Sequence, residues 1–201
     1  MIGIIDYGAG NLNSISKAIE HIGFKTEIIV KYVDIDKYKA VVLPGVGAFP
    51  GAIERLEKND LVRFIKDFVQ TDKPMLGVCL GMQLLFEYGY EDKKTKGLEL
   101  LPGDVVKMKG NFKIPHMGWN ELEIIKEDNL FNGLPDNPHF YFVHSYKLNE
   151  ITDQVIAVTD YGGKVPAVVR KDNIIGFQFH PEKSGSNGLK LLENFGELVK
   201  W

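Results

Sequence analysis

The chain predicts a three-layer α/β fold, a mixed and mostly parallel sheet flanked by helices, on two observations. Through the first half, short β-branched runs alternate with stretches whose apolar residues recur at helical spacing, the pattern of β-α units. From about residue 98 the texture changes to successive extended runs separated by Gly, Pro and Asn, which adds antiparallel strands to a parallel sheet.

In order, strands are expected at residues 2–5, 26–30, 40–43 and 75–78, each rich in Ile, Val or Leu and all but the second followed by a Gly-bearing turn. Helices are expected at 12–22, 52–56, 61–69 and 80–88. Leu61, Phe64, Ile65, Phe68 and Val69, for instance, fall on one helical face. In the second half, strands are expected at 104–108, 121–125, 140–145, 155–159, 167–170 and 174–180, with Lys171-Asp172-Asn173 as a hairpin turn. A helix over 189–199 closes the chain. The charged stretch 91–96 reads as a solvated loop.

Composition narrows the function. With 201 residues, 44% of them hydrophobic, the chain has material for one sizeable core, so residues 1–201 are read as a single domain. Lys plus Arg number 24 against 27 Asp plus Glu, and no basic block offers a track for nucleic-acid phosphates. One cysteine excludes an internal disulfide, and no Cys or His cluster at ligand spacing argues for a metal. The N-terminus has no basic leader, and no apolar run reaches the roughly 20 residues that cross a bilayer. A cytoplasmic protein without metal or cofactor, and with no nucleic-acid or membrane partner, is expected.

The sharpest local signal is Gly77-Val78-Cys79-Leu80-Gly81, placed where a buried strand meets a helix. Flanking glycines permit a sharp strand-to-helix turn that lifts the central side chain above the sheet, the geometry of a nucleophile elbow. Backbone N–H groups at such a turn are free to bind an oxyanion. The bland alternative is a small buried cysteine beside packing glycines. A second signal, Phe177-Gln178-Phe179-His180-Pro181-Glu182, puts His180 and Glu182 two residues apart on one face of a strand end. Alone this reads as a surface pair. Beside Cys79 it supplies a base and the carboxylate that orients it.

At these residues the chain resembles the class I glutamine amidotransferases, a flavodoxin-like family. The resemblance extends to Pro44-Gly45-Val46-Gly47, where that family places oxyanion-hole backbone, and to Gln83 on the elbow helix. Asp6-Tyr7-Gly8-Ala9-Gly10-Asn11, Pro115-His116-Met117-Gly118-Trp119-Asn120 and Tyr141-Phe142-Val143-His144-Ser145-Tyr146 are similar to the members that serve imidazole glycerol phosphate synthesis. The resemblance implies glutamine hydrolysis by Cys79, His180 and Glu182. It implies a glutamine and oxyanion site from Gly45, Val46, Gly47, Leu80, Gln83, His144, Ser145 and Tyr146. It also implies delivery of ammonia, within a heterodimer, to a separate cyclase subunit built as a β/α barrel.

Gly8-Ala9-Gly10 is no dinucleotide fingerprint, because Asn13 stands at the third glycine position. The segment 115–120 is aperiodic and turn-like, and mixes an aromatic, a Met and an amide in the manner of interface hot spots. The docking surface is expected to include Met117, Trp119 and Asn120 with Asn11 and Lys183, which flank the expected site on the rim of the same sheet. Tyr141 and Phe142 read as sheet packing. The peptide before Gly47 precedes a residue tolerant of positive φ, so it can present either its carbonyl or its N–H to the oxyanion. Two alternatives stay open: a glutaminase serving anthranilate, guanylate or pyridoxal phosphate synthesis, and a redox-sensing cysteine-elbow protein without glutamine turnover.

Overall fold

A computed structural model describes residues 1–199. Its main sheet has eight strands in the order β2-β1-β3-β4-β14-β13-β12-β9. Strands β1 (Ile2–Ile5), β2 (Thr26–Ile29), β3 (Ala40–Gly45), β4 (Met75–Cys79) and β14 (Ile174–Phe177) run parallel to one another. Strands β13 (Lys164–Lys171), β12 (Val155–Asp160) and β9 (Glu123–Ile124) add antiparallel pairs at one side. The expected mixed, mostly parallel sheet is present. The hairpin at 171–173 is present too, with Asp172 in a left-handed conformation at φ 53°.

The central strands are buried along their whole length because helices cover both faces. On one face lie α2 (Phe49–Lys58), α3 (Leu61–Val69) and the short α4 (Leu80–Leu84). On the other lie α1 (Leu12–His21) and α5 (Gly185–Glu197). Helix α3 buries the stripe anticipated from its periodicity, Leu61, Phe64, Ile65, Phe68 and Val69. Each such side chain contributes about 1.5–3 kcal/mol by leaving water.

Three expectations need correction. The elbow helix stops at Leu84 rather than running to Tyr88, because Tyr88 opens strand β5 (Tyr88–Glu91). β5 pairs with β6 (Lys93–Lys96), so the charged stretch 91–96 is hairpin rather than loop. Tyr88 and Tyr90 of β5, Thr95 of β6 and the cross-strand Glu91 to Lys93 register suit a solvated two-stranded ribbon, which charge alone does not reveal. These strands join β7 (Asp104–Lys107) and β11 (Tyr146–Leu148) in a four-stranded sheet. Finally, the segment read as turn-like is strand β8 (His116–Glu121), paired antiparallel with β10 (His139–His144). Its partner is distant in sequence, and its alternation turns His116 inward and Met117 and Trp119 outward, the reverse of the usual apolar-in pattern. Among the described residues no helix is long and apolar enough to cross a membrane.

Candidate active site

Three adjacent parallel strands bring the site together. In their register Gly45 at the end of β3 lies beside Cys79 at the end of β4, and Phe177 at the end of β14 lies beside Val78. The Pro44 to Gly47 segment, Cys79 and the His180 segment therefore emerge side by side at the carboxyl edge of the sheet, where open α/β folds bind ligands.

Cys79 is buried and strained, with φ 55° and ψ −111°, a conformation held by the packing around it. The flanking glycines make that packing possible. A β-carbon on Gly81 would fall 1.8 Å from the Leu43 carbonyl oxygen, and one on Gly77 would fall 2.7 Å from the Gly81 carbonyl oxygen. Strand, turn and helix are thus pressed backbone to backbone. Helix α4 is a single short turn, so the dipole it contributes at the sulfur is small and the free N–H groups of the turn matter more.

His180 and Glu182 are almost wholly buried, and His180 Nδ1–H donates to Glu182 Oε1 at 2.8 Å. That bond leaves Nε2 as the atom available for a proton at the active edge. Nε2 is buried and has no well-formed hydrogen bond among the described residues, Cys79 included. Burial opposes charge on the ring, but the neighbouring Cys79 sulfur and the Glu182 carboxylate outweigh it and raise His180 to about 10. The raised ring keeps a proton on Nε2 beside the sulfur.

Around the sulfur is a cleft of about 350 Å³, lined by Val46, Gly47, Leu80, Gln83 and residues 143–146 together with Cys79 and His180. All the glutamine-site and oxyanion residues expected from the sequence except Gly45 line it. Gly45 sits immediately beneath: a β-carbon there would meet the Tyr7 hydroxyl at 2.4 Å and Gly81 N at 2.9 Å. Gly47 uses the conformational freedom expected of it, with φ 99°. Gln83 Nε2 donates to the Tyr146 carbonyl at 3.0 Å and to Gln178 Oε1 at 3.1 Å, bracing the cleft wall.

The sequence reading missed two residues here. Glu91, taken as part of a solvated loop, lines the cleft, and its Oε2 accepts from Phe49 N at the start of α2 at 2.7 Å. Gln178 is fully buried, and its Nε2 lies 4.0 Å from Cys79 Sγ. Its signal was present: an amide between Phe177 and Phe179, on the face that His180 shares.

The expected docking residues divide. Met117 and Trp119 are more than half exposed on one face of β8. Trp119 packs edge-on to Tyr141, over which Lys183 Nζ sits at 5.9 Å from the ring centre. Tyr141 is therefore only part of the sheet packing expected of it, whereas Phe142 is fully buried. Asn11 occupies the N-cap of α1 without using its side chain as a cap, and is exposed. Asn120 points to the opposite face of β8, where its amide donates to the Asp160 carbonyl at 2.8 Å.

The family model for "Glutamine amidotransferase class-I" matches residues 3–198. The chain is 50% identical, over 100% of its own length and 99% of the relative's, to "Imidazole glycerol phosphate synthase subunit HisH" of Caldanaerobacter subterraneus subsp. tengcongensis. It is 48% identical to the protein of the same description from Desulfitobacterium hafniense, over 99% of this chain and 95% of that one. Among solved structures it is similar in fold to PurLQS from Thermotoga maritima, with a TM-score of 0.78, 20% identity, and coverage of 99% of this chain and 98% of that one. A crystal structure described as a glutamine amidotransferase gives 0.76 at 19% identity, covering 98% of both chains. With a family model spanning nearly all of its length and relatives at half identity end to end, the chain belongs to the class-I glutamine amidotransferases.

Proposed function

We propose that the chain is the glutaminase subunit of an imidazole glycerol phosphate synthase, a cytoplasmic enzyme that hydrolyses glutamine and passes ammonia to a cyclase partner in histidine biosynthesis. The observation that carries this reading is the Cys79 sulfur at the floor of an amino-acid-sized cleft with the His180–Glu182 pair beside it. The half-identical relatives of that description support the choice of synthase.

In this reading the Cys79 thiolate attacks the glutamine side-chain carbonyl. The resulting oxyanion is held by backbone N–H groups of Leu80 and of the Gly45 to Gly47 segment. His180 gives its Nε2 proton to the departing ammonia, leaving a γ-glutamyl thioester. The same nitrogen then takes a proton from water, which attacks the thioester and releases glutamate and the thiolate. Glu182 keeps Nδ1 protonated and the ring oriented through both halves. Glu91 holds the α-ammonium end of glutamine, and the Ser145 and Tyr146 backbone and hydroxyls hold the α-carboxylate.

The partner is a β/α barrel that docks on Met117, Trp119, Lys183 and Asn11 and forms a heterodimer. Trp119 with its Tyr141 and Lys183 neighbours has the exposed aromatic and cationic character of an anchor. Asn120 faces away from that surface and braces the strand from behind, its amide donating to the Asp160 carbonyl at 2.8 Å.

The deciding experiment is Cys79→Ala in the purified complex. Glutamate release and glutamine-dependent synthesis should fall to background, while ammonium salts at raised pH still drive the partner's reaction. Glutamine-dependent synthesis at the wild-type rate would overturn the proposal. A complex fed glutamine that makes anthranilate or guanylate instead would overturn the choice of synthase.

A further inference from the structure

Strand β8 shows solvent one face, with Met117 and Trp119, and turns His116 and Asn120 inward. His116 is buried between two aromatic rings, Phe142 at 4.6 Å and 17° on one side and Tyr161 at 3.9 Å and 18° on the other. It is also one link in a directed chain of hydrogen bonds. His144 Nδ1 lies 2.9 Å from the Tyr146 carbonyl oxygen, which only accepts, so that nitrogen carries the proton. His144 Nε2 must then accept, and its partner at 3.0 Å is His116 Nδ1–H. His116 Nε2 in turn accepts from the Asn120 amide at 3.3 Å. Burial pushes His116 down to about 4 and His144 to about 3, so both rings are neutral and each has one tautomer open to it.

The receiving end of the chain is the cleft wall. The Tyr146 carbonyl takes both His144 Nδ1–H and Gln83 Nε2–H. Gln83 also reaches Gln178, whose Nε2 lies 4.0 Å from Cys79 Sγ, and the Val143 carbonyl lies 3.8 Å from the same sulfur. We propose that His116 is a positioning residue for glutamine turnover: its Nδ1–H fixes the tautomer and ring orientation of His144, which holds the 143–146 wall against the substrate. The proposal rests on the glutaminase reading above. Without that donor, His144 Nε2 becomes a buried acceptor with no partner, and the ring relieves it by turning away from Tyr146. Stacking alone would be served as well by a phenyl ring. The second imidazole supplies what a phenyl lacks, a donor at Nδ1.

Two variants in the complex with the synthase partner separate the roles. His116→Phe keeps the stack and drops the donor. His116→Asn keeps a donor near the Nδ1 position and drops the stack. The inference expects the Phe variant to unfold close to the wild-type temperature with KM for glutamine raised about 10-fold or more. The Asn variant should unfold at a lower temperature with KM within about 3-fold of wild type, since the retained hydrogen bond is the one that matters. Ring nitrogen NMR should show His144 protonated on Nδ1 in the wild type and the Asn variant, and a mixture of tautomers in the Phe variant. An unimpaired Phe variant, or an Asn variant impaired as much as the Phe variant, overturns the inference. If the Phe variant does not fold, a wild-type His144 protonated on Nε2 overturns it and one protonated on Nδ1, with the Asn variant's KM retained, supports it. A wild-type complex that releases no glutamate overturns the functional reading and this inference with it, whereas an active wild type beside an unimpaired Phe variant overturns this inference alone.

Discussion

Cys79 is kept in its strained, positive-φ conformation by two missing β-carbons. Gly81→Ala would drive a methyl group to within 1.8 Å of the Leu43 carbonyl oxygen, and backbone cannot retreat as a flexible side chain can. Overpacking of this kind typically costs about 1–3 kcal/mol, so a clear fall in unfolding temperature with loss of glutaminase activity is expected from that one methyl group. Wild-type thermal stability in the purified variant would contradict this account. At the base, His180→Ala should lower glutamate release by about 10²- to 10⁴-fold, the range of general acid-base catalysis. Glu182→Gln should cost less, because the carboxylate orients and stabilises the ring without moving a proton. Equal losses would contradict that division. The folded His180 ring is raised to about 10 from its ordinary 6.5, so its charge stabilises the fold fully below pH 6.5 and that stability drains away as pH rises toward 10. Wild type should therefore exceed Glu182→Gln in unfolding temperature by more at pH 6 than at pH 10.5. An equal gap at both would show that Glu182 does not act through the charged ring.

At the scale of elements, the β5–β6 hairpin couples the cleft to helix α2. Glu91 is positioned by β5 so that one carboxylate oxygen receives Phe49 N, an N-terminal donor that Ala48 cannot satisfy with its own side chain. Glu91→Gln keeps an acceptor for that N–H and removes the charge that faces the substrate. The expected outcome is a rise of about 10-fold or more in KM for glutamine with little change in unfolding temperature. Glu91→Ala should add a stability loss of about 0.5–2 kcal/mol, the usual consequence of losing a helix N-terminal acceptor. Steady-state kinetics and thermal melts on the same two preparations test both halves. An unchanged KM in Glu91→Gln would remove Glu91 from the substrate site.

At the scale of the molecule, β10 joins the pair β8–β10 to the His180 segment, the Tyr141 carbonyl accepting from His180 N at 2.9 Å, so the proposed docking face adjoins the proposed catalytic edge. Val46, itself exposed, stands at the cleft beside Gly47 with its φ of 99°. A partner reaching this edge meets the peptide that must turn an N–H toward the oxyanion. Loss of one oxyanion donor alone costs about 10²- to 10³-fold in rate, so a modest bias in that peptide's orientation would suffice to control turnover. Glutamate release is accordingly expected to be slow in the isolated chain, faster with the partner, and fastest with partner and its nucleotide substrate together. Full activity alone, unchanged by either addition, would exclude the switch. Trp119→Ala should weaken assembly by about 30-fold, the consequence of removing an anchor of about 2 kcal/mol, with the monomer's circular dichroism and melting unchanged.

Much of this was legible in the chain itself. Period-2 and period-3.6 patterning located the strands and helices, because burial on a fixed face leaves a local imprint at residues such as Leu61, Phe64, Ile65 and Phe68. Gly77, Cys79, Gly81, His180 and Glu182 were identifiable because elbow and base each need particular residue types at short spacing. What tertiary structure alone decided was anything that depends on partners distant in sequence. β8 became a strand because β10 lies beside it, and its alternation is inverted, with Met117 and Trp119 outward and His116 and Asn120 inward, so an apolar period does not mark the buried face. Glu91 turned into the cleft because residues 93–96 fold back to pair with β5, shortening the elbow helix as they do so. His116 and His144, 28 residues apart, became one hydrogen-bonded pair only through the β8–β10 register that sets them opposite each other. Local periodicity records which face is buried. It does not record what the buried face will meet, because that is fixed by strand order and register, which many sequences with the same pattern would satisfy differently.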